Sequence, residues 1–220
     1  MLRGSRADPG WEERIGRAVR DVARPIALDA RFAPRDRAGR TNLERNDRSG
    51  FPAARLASTL LLVYPAADGG LVIPLTVRHS GLPAHPGEVS LPGGAVDPGD
   101  ASREATALRE AEEEVGVDPA TVRIHGALDD IWIPVSNFEI RPFVGTSSTR
   151  PDLVAHTDEV AAIVELPVGV LLDPALVSEE EIRVRGLILR AAVYRHAGHR
   201  IWGATARALA MFGVALERAA

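Results

Sequence analysis

The sequence predicts an α/β sandwich built on a mixed β-sheet. Two observations support this prediction: apolar, strand-like runs recur along most of the chain, and only two or three helical patterns lie among them. The strand-like runs occupy residues 56–65, 71–78, 121–127, 138–144, 159–166 and 182–195. Strands interleaved with so few helices are typical of a sheet that packs against helices.

Residues 1–52 are predicted to form a helix and an exposed connector, ahead of a main domain at residues 53–220. Apolar residues recur at helical spacing through residues 10–29, among arginines and acidic residues. Residues 30–52 are rich in Arg, Asp, Asn and Gly and contain few large apolar groups. That composition is typical of an exposed, loosely structured connector.

The main domain begins with the runs at residues 56–65 and 71–78, which are separated by the turn sequence AADGG. This arrangement predicts a β-hairpin. A loop rich in proline and glycine follows at residues 79–100. A loop of this length inside a compact domain is usually functional or disordered.

Two further helices are predicted. Asp100 or Ser102 is a suitable N-cap for the first, and Gly116 stands where a helix C-terminus prefers glycine. The second is predicted at about residues 203–218, where apolar residues again recur at helical spacing.

Composition excludes several function classes. The net charge of −4 gives no indication of a nucleic-acid or membrane partner, and no apolar run is long enough to span a membrane. The start of the chain lacks an apolar signal core, so we expect a cytoplasmic protein. There is no cysteine and no lysine, which excludes disulfides, thiol nucleophiles, Schiff-base chemistry and a P-loop lysine. The sequence does not determine the oligomeric state, and a homodimer is one of the alternatives.

The helix before Gly116 carries an unusual cluster of carboxylates. Glu110, Glu113 and Glu114 lie three and four residues apart, so they share one helix face, whereas Glu112 faces elsewhere. Like charges at this spacing repel, and the helix dipole disfavours negative charge in the last turn. One interpretation is a solvated acidic face balanced by arginines. The other is a site for a hard divalent cation, which would turn the repulsion into attraction.

The loop before this helix favours the cation site. The sequence PGGAVDPGD lets the backbone approach a ligand closely, and Gly93 or Gly94 can offer a backbone carbonyl or amide. A glycine-rich loop, a capped helix and clustered glutamates in one continuous order are far more specific than any one of them.

The segment resembles the Nudix box, G-x5-E-x7-R-E-U-x-E-E-x-G-U, where U is a bulky aliphatic residue. The second half matches in register at Arg109, Glu110, Glu113, Glu114, Gly116 and Val117, with the small Ala111 at the first U. In the first half, Asp100 replaces the usual glutamate and is displaced by one residue. The resemblance implies an α/β/α sandwich with a mixed sheet.

This displacement is similar to the pattern of the coenzyme A pyrophosphatase subgroup of Nudix hydrolases. The subgroup also has an upstream signature, L-L-T-x-R, then H-x-G-x-[VI]-[SA]-F-P-G-G, which the stretch LTVRHSGLPAHPGEVSLPGG at residues 75–94 resembles. Pro83 stands where the subgroup usually has arginine, and Leu91 replaces phenylalanine. The resemblance covers about residues 56–213.

The resemblance implies hydrolysis of a nucleoside diphosphate linked to another moiety, with Mg²⁺ or Mn²⁺. It assigns metal binding to Glu110, Glu113 and Glu114, with the Gly94 carbonyl as a further ligand. It implies that Arg109 pairs with a glutamate and holds its rotamer. If CoA is the substrate, the products are 3′,5′-ADP and 4′-phosphopantetheine.

The general base is left open between a box glutamate, Glu113, and a downstream carboxylate. Glu159 is favoured downstream, with Asp158 and Asp152 as the other candidates.

Substrate contacts are also open. Arg78, His85 and Gly93 are the candidates, although a lone His is more often structural and Arg78 is equally well explained as a surface charge. Trp132 and Trp202 are expected in the core rather than as platforms for a base.

Three functions remain open from sequence. The first is a CoA or acyl-CoA diphosphatase, and the second is a Nudix hydrolase of an NDP-sugar, dinucleotide or damaged nucleotide. The third is a non-catalytic Nudix-like ligand-binding module. The complete glutamate set argues against the third, and the HPGEVSLPGG stretch favours the first over the second.

Overall fold

The computed structural model describes residues 7–41, 44, 48–79, 87–156, 159–184 and 186–218. The described helices are α1 Trp11–Asp21, α2 Arg103–Val115 and α3 Gly203–Arg218. The strands are β1 Arg55–Pro65, β2 Leu71–Arg78, β3 Val89–Ser90, β4 Gly93–Ala95, β5 Arg123–Ala127, β6 Ile131–Ile133, β7 Phe138–Thr146, β8 Val160–Pro167, β9 Val177–Val184, β10 Leu187–His196 and β11 His199–Ile201.

The main sheet has eight strands and is mixed. Its central strand, β1, is antiparallel to β2 and β4 and parallel to β7 along nearly its whole length. Strands β1 and β2 form the predicted hairpin, in which Tyr64 pairs with Val72. Strand β8 pairs with β2, and β5 and β6 pair with β7.

The two faces of the main sheet bury alternate residues of β1. Leu60 and Leu62 pack under α2, whereas Leu61 and Val63 face the core that contains α1 and α3. This alternation follows from the two-residue period of a strand. Helices therefore lie on both faces of a mixed sheet, and the predicted fold class is confirmed.

A second, three-stranded sheet has the order β11-β10-β9. The single strand predicted at residues 182–195 is wrong, because this region contributes to two antiparallel strands, β9 and β10. The turn between them includes Gly186, whose φ of +79° suits glycine. The apolar pattern continues through both strands and so hides the turn. A tight turn at residues 196–199 joins β10 to β11.

The N-terminal segment packs against the main domain. Helix α1 is shorter than the predicted residues 10–29, and it buries Trp11 and Ile15 in the same core as α3. The described part of the connector is not exposed throughout, because Phe32 is only 8% exposed. Arg35 exchanges two backbone hydrogen bonds with Arg190 of β10, of 2.9 and 2.8 Å. None of the helices in the described ranges has the length and apolar character needed to cross a bilayer.

Candidate metal and diphosphate site

Part of the predicted long loop is fixed to the sheet as strand β4. Gly93 and Gly94 lie opposite Thr59 and Ser58 of β1. Gly93 has a φ of +153°, and a Cβ at this position would lie 2.6 Å from the Thr59 Cα and against the Ser58 carbonyl oxygen. Only glycine fits so close to another backbone. The two glycines are thus held rigidly against the centre of the sheet.

Helix α2 places the glutamates beside this glycine pair. It begins at the predicted cap, where the Ser102 hydroxyl accepts a hydrogen bond of 3.1 Å from the Ala105 amide. It ends at Gly116, which has the left-handed conformation with a φ of +72°. Glu112 is exposed on the far side of the helix, as its spacing predicts.

Arg109 joins the loop to the helix. Its Nε and Nη2 atoms donate to the two Asp100 oxygens at 2.9 and 3.1 Å, and Nη2 also donates to the Ala95 carbonyl at 3.3 Å. The Asp100 carboxylate further accepts from the Thr106 hydroxyl at 2.7 Å and the Asp97 amide at 2.9 Å. The displaced acid of the Nudix-like motif therefore acts as a two-pronged clamp on the arginine.

We expect Asp100→Asn to lower the free energy of unfolding. The Arg109 guanidinium and two further hydrogen bonds hold the pKa of Asp100 well below its usual range. A depressed folded-state pKa stabilises the fold above the unfolded-state value of about 4 and loses that effect as pH falls. Denaturant unfolding should show a constant gap between variant and wild type at neutral pH, and a shrinking gap below about pH 4.

The matched control is Asp97→Asn, because the Asp97 carboxylate is 67% exposed and lies 3.7 Å from Arg109. This variant should unfold like the wild type. A gap for Asp100→Asn that is absent, or equal at pH 3 and pH 7, would show that the clamp does not stabilise the fold.

Glu110 and Glu114 face the glycine pair. Glu114 Oε2 accepts a hydrogen bond of 3.1 Å from the Gly93 amide. Both Glu110 carboxylate oxygens lie 2.5 Å from the position that a Cβ on Gly94 would occupy. Burial raises the pKa of Glu114 to about 7, and it also raises the pKa of Glu110. For both carboxylates the cost of burial outweighs the stabilising effect of the nearby arginines, Arg109 for Glu110 and Arg78 for Glu114.

These donors fit a hard divalent cation. Two neighbouring carboxylates match the oxygen ligands that Mg²⁺ takes in proteins, which are commonly one or two carboxylates plus substrate phosphates. Within the described ranges, no three His, Asp or Glu side chains converge as a complete metal cluster. Glu113 instead turns to Arg109, with 3.0 Å between Nη1 and Oε2. Arg109 also lies 3.0 Å from Glu110, so the predicted pairing of this arginine with glutamate is present.

Arg78 and Glu159 lie at the edge of the same site. They form an ion pair of 3.0 Å between the end of β2 and the residue before β8, and both influence the pKa of the nearby Glu114. Glu159 is more than half exposed. Asp152 is exposed in the segment that packs on the end of α2. The other predicted residues of this group, His85 and Asp158, lie outside the described residues.

A cavity of about 600 Å³ opens from this site. Its walls include Gly93, Gly94 and Glu114, and also the first two turns of α3. Most of the remaining wall is apolar, including Leu91, Ile131, Trp132, Ile133, Phe138, Leu187, Leu189 and Trp202. Trp132 and Trp202 are both half-buried and line this cavity. Trp202 also packs against the core cluster of Ile182, Ala191 and Val193, whereas Trp132 belongs to none of the core clusters, so its predicted place in the core is wrong.

Sequence reasoning missed two contributors to the cavity wall. Phe32 and Pro34 come from the N-terminal segment, which strand pairing with β10 brings to the cavity. Arg207 comes from the last helix. Arg207 stands on the inner face of an otherwise apolar helix, and this position in the sequence could have indicated that it lines the cavity.

The fold and the glycine–glutamate arrangement define a class of protein. Residues 56–184, more than half of the chain, match the model of the NUDIX domain family, and the chain belongs to that family. It is a Nudix hydrolase, an enzyme that cleaves a diphosphate linkage, and Nudix hydrolases use divalent metal ions.

Two relatives are similar over most of their length. One from Cronobacter sakazakii, described as "Uncharacterized Nudix hydrolase NudL", is 37% identical over 184 residues, which cover 83% of this chain and 91% of the relative. One of the same description from Enterobacter sp. (strain 638) is 39% identical over 154 residues, covering 69% and 78%.

Solved structures of the family show weaker likeness. The Nudix hydrolase RenU from M. smegmatis has a TM-score of 0.46 and 15% identity, and the match covers 84% of this chain and 90% of that one. The NUDIX domain of Shewanella oneidensis NrtR, complexed with ADP ribose, has a TM-score of 0.44 and 23% identity. That match covers 59% of this chain and 83% of the NrtR domain.

Proposed function

We propose that the chain is a CoA or acyl-CoA diphosphatase that uses Mg²⁺ or Mn²⁺. Its products would be 3′,5′-ADP and 4′-phosphopantetheine, or the acyl form of the latter. The observation that carries this proposal is the cavity of about 600 Å³, mostly apolar, that opens directly from Glu114 and the glycine pair. A substrate with a diphosphate next to a long, largely apolar arm fits such a continuous space.

The signature-like stretch at residues 75–94 supports the same substrate. Arg78 and Gly93–Gly94, which belong to the described parts of this stretch, line the cavity together with Glu114. Two buried polar atoms of the cavity wall, Thr59 Oγ1 and Arg78 Nε, have no hydrogen-bond partner in the part of the chain that the structure describes. Buried polar groups without partners are uncommon, and a phosphate oxygen would satisfy a donor such as Arg78.

Glu110 and Glu114, with the Gly94 carbonyl, are proposed to hold the cation. When bound, it would lower the pKa of a water molecule and offset the charge of the diphosphate. The Gly93 amide, through its hydrogen bond, fixes the orientation of the Glu114 carboxylate. Arg109 restrains both Glu110 and Glu113, so the carboxylates are ordered before substrate arrives.

Two carboxylates remain proposed as general bases, Glu113 and Glu159. Each is already oriented by an arginine at 3.0 Å, Arg109 and Arg78 respectively. Both are more than half exposed, so a water molecule can reach either one. We place Glu159 first, because its ion-pair partner Arg78 lines the cavity that receives the substrate. His85 remains a proposed contact to a phosphate.

The proposed partner is a small nucleotide in the cytoplasm, rather than a nucleic acid or a membrane. A homodimer stays a prediction from the sequence.

A substrate panel tests the proposal. With Mg²⁺ or Mn²⁺, we expect kcat/KM for CoA to exceed that for dephospho-CoA, ADP-ribose and NADH by about 10-fold or more. The reason is that only CoA has both the pantetheine arm and a further phosphate to contact the cavity. Acyl-CoA should be hydrolysed at a comparable rate. Equal rates on CoA, dephospho-CoA, ADP-ribose and NADH would overturn the CoA assignment while leaving the diphosphatase activity in place.

A further inference from the structure

Arg207 is a half-buried cation to which the described residues offer no hydrogen bond. It lies in the second turn of α3 and lines the same cavity as the glycine pair. Its Nε atom is buried and has no hydrogen bond. Across the described residues, no hydrogen bond or ion pair reaches its side chain.

The nearest compensating charge is already in use. Asp129 interacts with Arg207 electrostatically, but its carboxylate accepts a hydrogen bond of 2.7 Å from Arg24 and one of 2.5 Å from the Ile26 amide. Two arginines therefore interact with one carboxylate, and a net positive charge is left beside the cavity. Burial also lowers the pKa of Arg207, which reflects the cost of removing the cation from water.

An unpaired buried charge is unfavourable unless a ligand of opposite charge completes it. The Arg207 guanidinium, with several N–H donors in one plane, suits the oxygens of a phosphate. The first turn of α3, Gly203 to Thr205, lines the same cavity, and the positive end of its helix dipole adds to the attraction for an anion. Apolar residues that include Trp202 make up most of the rest of the cavity wall.

We propose that Arg207 binds a phosphate monoester of the substrate that is separate from the diphosphate at Glu110 and Glu114. The cavity joins the two places, so one molecule reaches both. The inference rests on the proposed function where it identifies this group as the 3′-phosphate of CoA. Arg207 is thus a specificity-determining residue.

Isothermal titration with 3′,5′-ADP and 5′-AMP tests this assignment. These two nucleotides differ only in the 3′-phosphate, and neither has a diphosphate to hydrolyse. The wild type should bind 3′,5′-ADP about 10-fold or more tightly than 5′-AMP, and Arg207→Met should bind both equally. Arg207→Lys should restore part of the preference, because it returns the charge without the planar donors.

The matched control is Arg218→Met, since Arg218 is exposed in the last turn of the same helix. It should keep the wild-type preference. A preference that survives in Arg207→Met overturns the assignment. A second result would also overturn it: Arg207→Met no longer binds inorganic phosphate but keeps the preference for 3′,5′-ADP. The residue would then bind only a free anion and not the 3′-phosphate of a nucleotide.

Thermal unfolding distinguishes this role from a structural one. Methionine keeps much of the apolar stem of arginine and removes the unpaired charge, so Arg207→Met should melt at or above the wild-type temperature. A clearly lower melting temperature would overturn the assignment. If the wild type hydrolyses CoA normally and Arg207→Met keeps the nucleotide preference, this inference alone is overturned. If the wild type does not hydrolyse CoA but Arg207→Met loses the preference for 3′,5′-ADP over 5′-AMP, the proposed function alone is overturned.

Discussion

Glu114→Gln is expected to lower kcat for metal-dependent diphosphate hydrolysis by about 1,000-fold or more. Glutamine keeps the shape of the side chain, and its carbonyl can still accept the hydrogen bond from the Gly93 amide. Glutamine removes the negative charge of Glu114, which we propose binds the cation. Steady-state kinetics on CoA with saturating Mg²⁺ measures the effect.

Glu112→Gln is the matched control, because Glu112 lies in the same helix turn but is exposed. It should retain wild-type turnover. The Glu114→Gln protein should melt at or above the wild-type temperature, since the change removes a buried charge that has few partners. Turnover unchanged by Glu114→Gln would remove the metal-site assignment.

Gly94→Ala is expected to lower kcat by about 100-fold. A Cβ on Gly94 would lie 2.5 Å from both oxygens of Glu110, a distance that real atoms cannot adopt. The obstacle is the end of a flexible side chain, so Glu110 moves away while the backbone of β4 stays. The melting temperature should therefore change little, although the activity falls.

Gly99→Ala provides the control for Gly94→Ala. Gly99 lies in the same segment between β4 and α2, and a Cβ there would meet nothing within 4 Å. It should have wild-type activity. If Gly94→Ala is as active as Gly99→Ala, the position of Glu110 beside Gly94 has no part in the reaction.

Local signals in the sequence predict local structure well in this chain. The limits of α2 follow from a serine that caps the first turn and a glycine that adopts a positive φ at the end. The hairpin of β1 and β2 follows from two apolar runs around a glycine turn. These features depend on residues within a few positions of one another, so the sequence contains the whole signal.

Long-range contacts were beyond the same reasoning. Strand β4 contains two glycines and one alanine, which have little β propensity, and it forms because β1 offers a free edge in this register. The cavity was equally hidden, since its walls come from the N-terminal segment, both sheets and α3. No local pattern shows that Phe32 and Arg207 line one space.

The site was predicted in part. Spacing along the helix correctly separates Glu112 from the other glutamates. It does not determine that Glu113 turns to Arg109 while Glu110 and Glu114 face the glycine pair, because rotamers depend on neighbours from other elements. Arg109 pairs with Asp100 despite the displaced spacing, since the loop brings that carboxylate within 2.9 Å.

The most direct test of the central claim is identification of the products that the wild-type enzyme forms from CoA, by liquid chromatography and mass spectrometry. We expect equal amounts of 3′,5′-ADP and 4′-phosphopantetheine in the presence of Mg²⁺ or Mn²⁺, and neither product with a chelator. Intact CoA after prolonged incubation with either metal, or cleavage at a bond outside the diphosphate, would contradict the account.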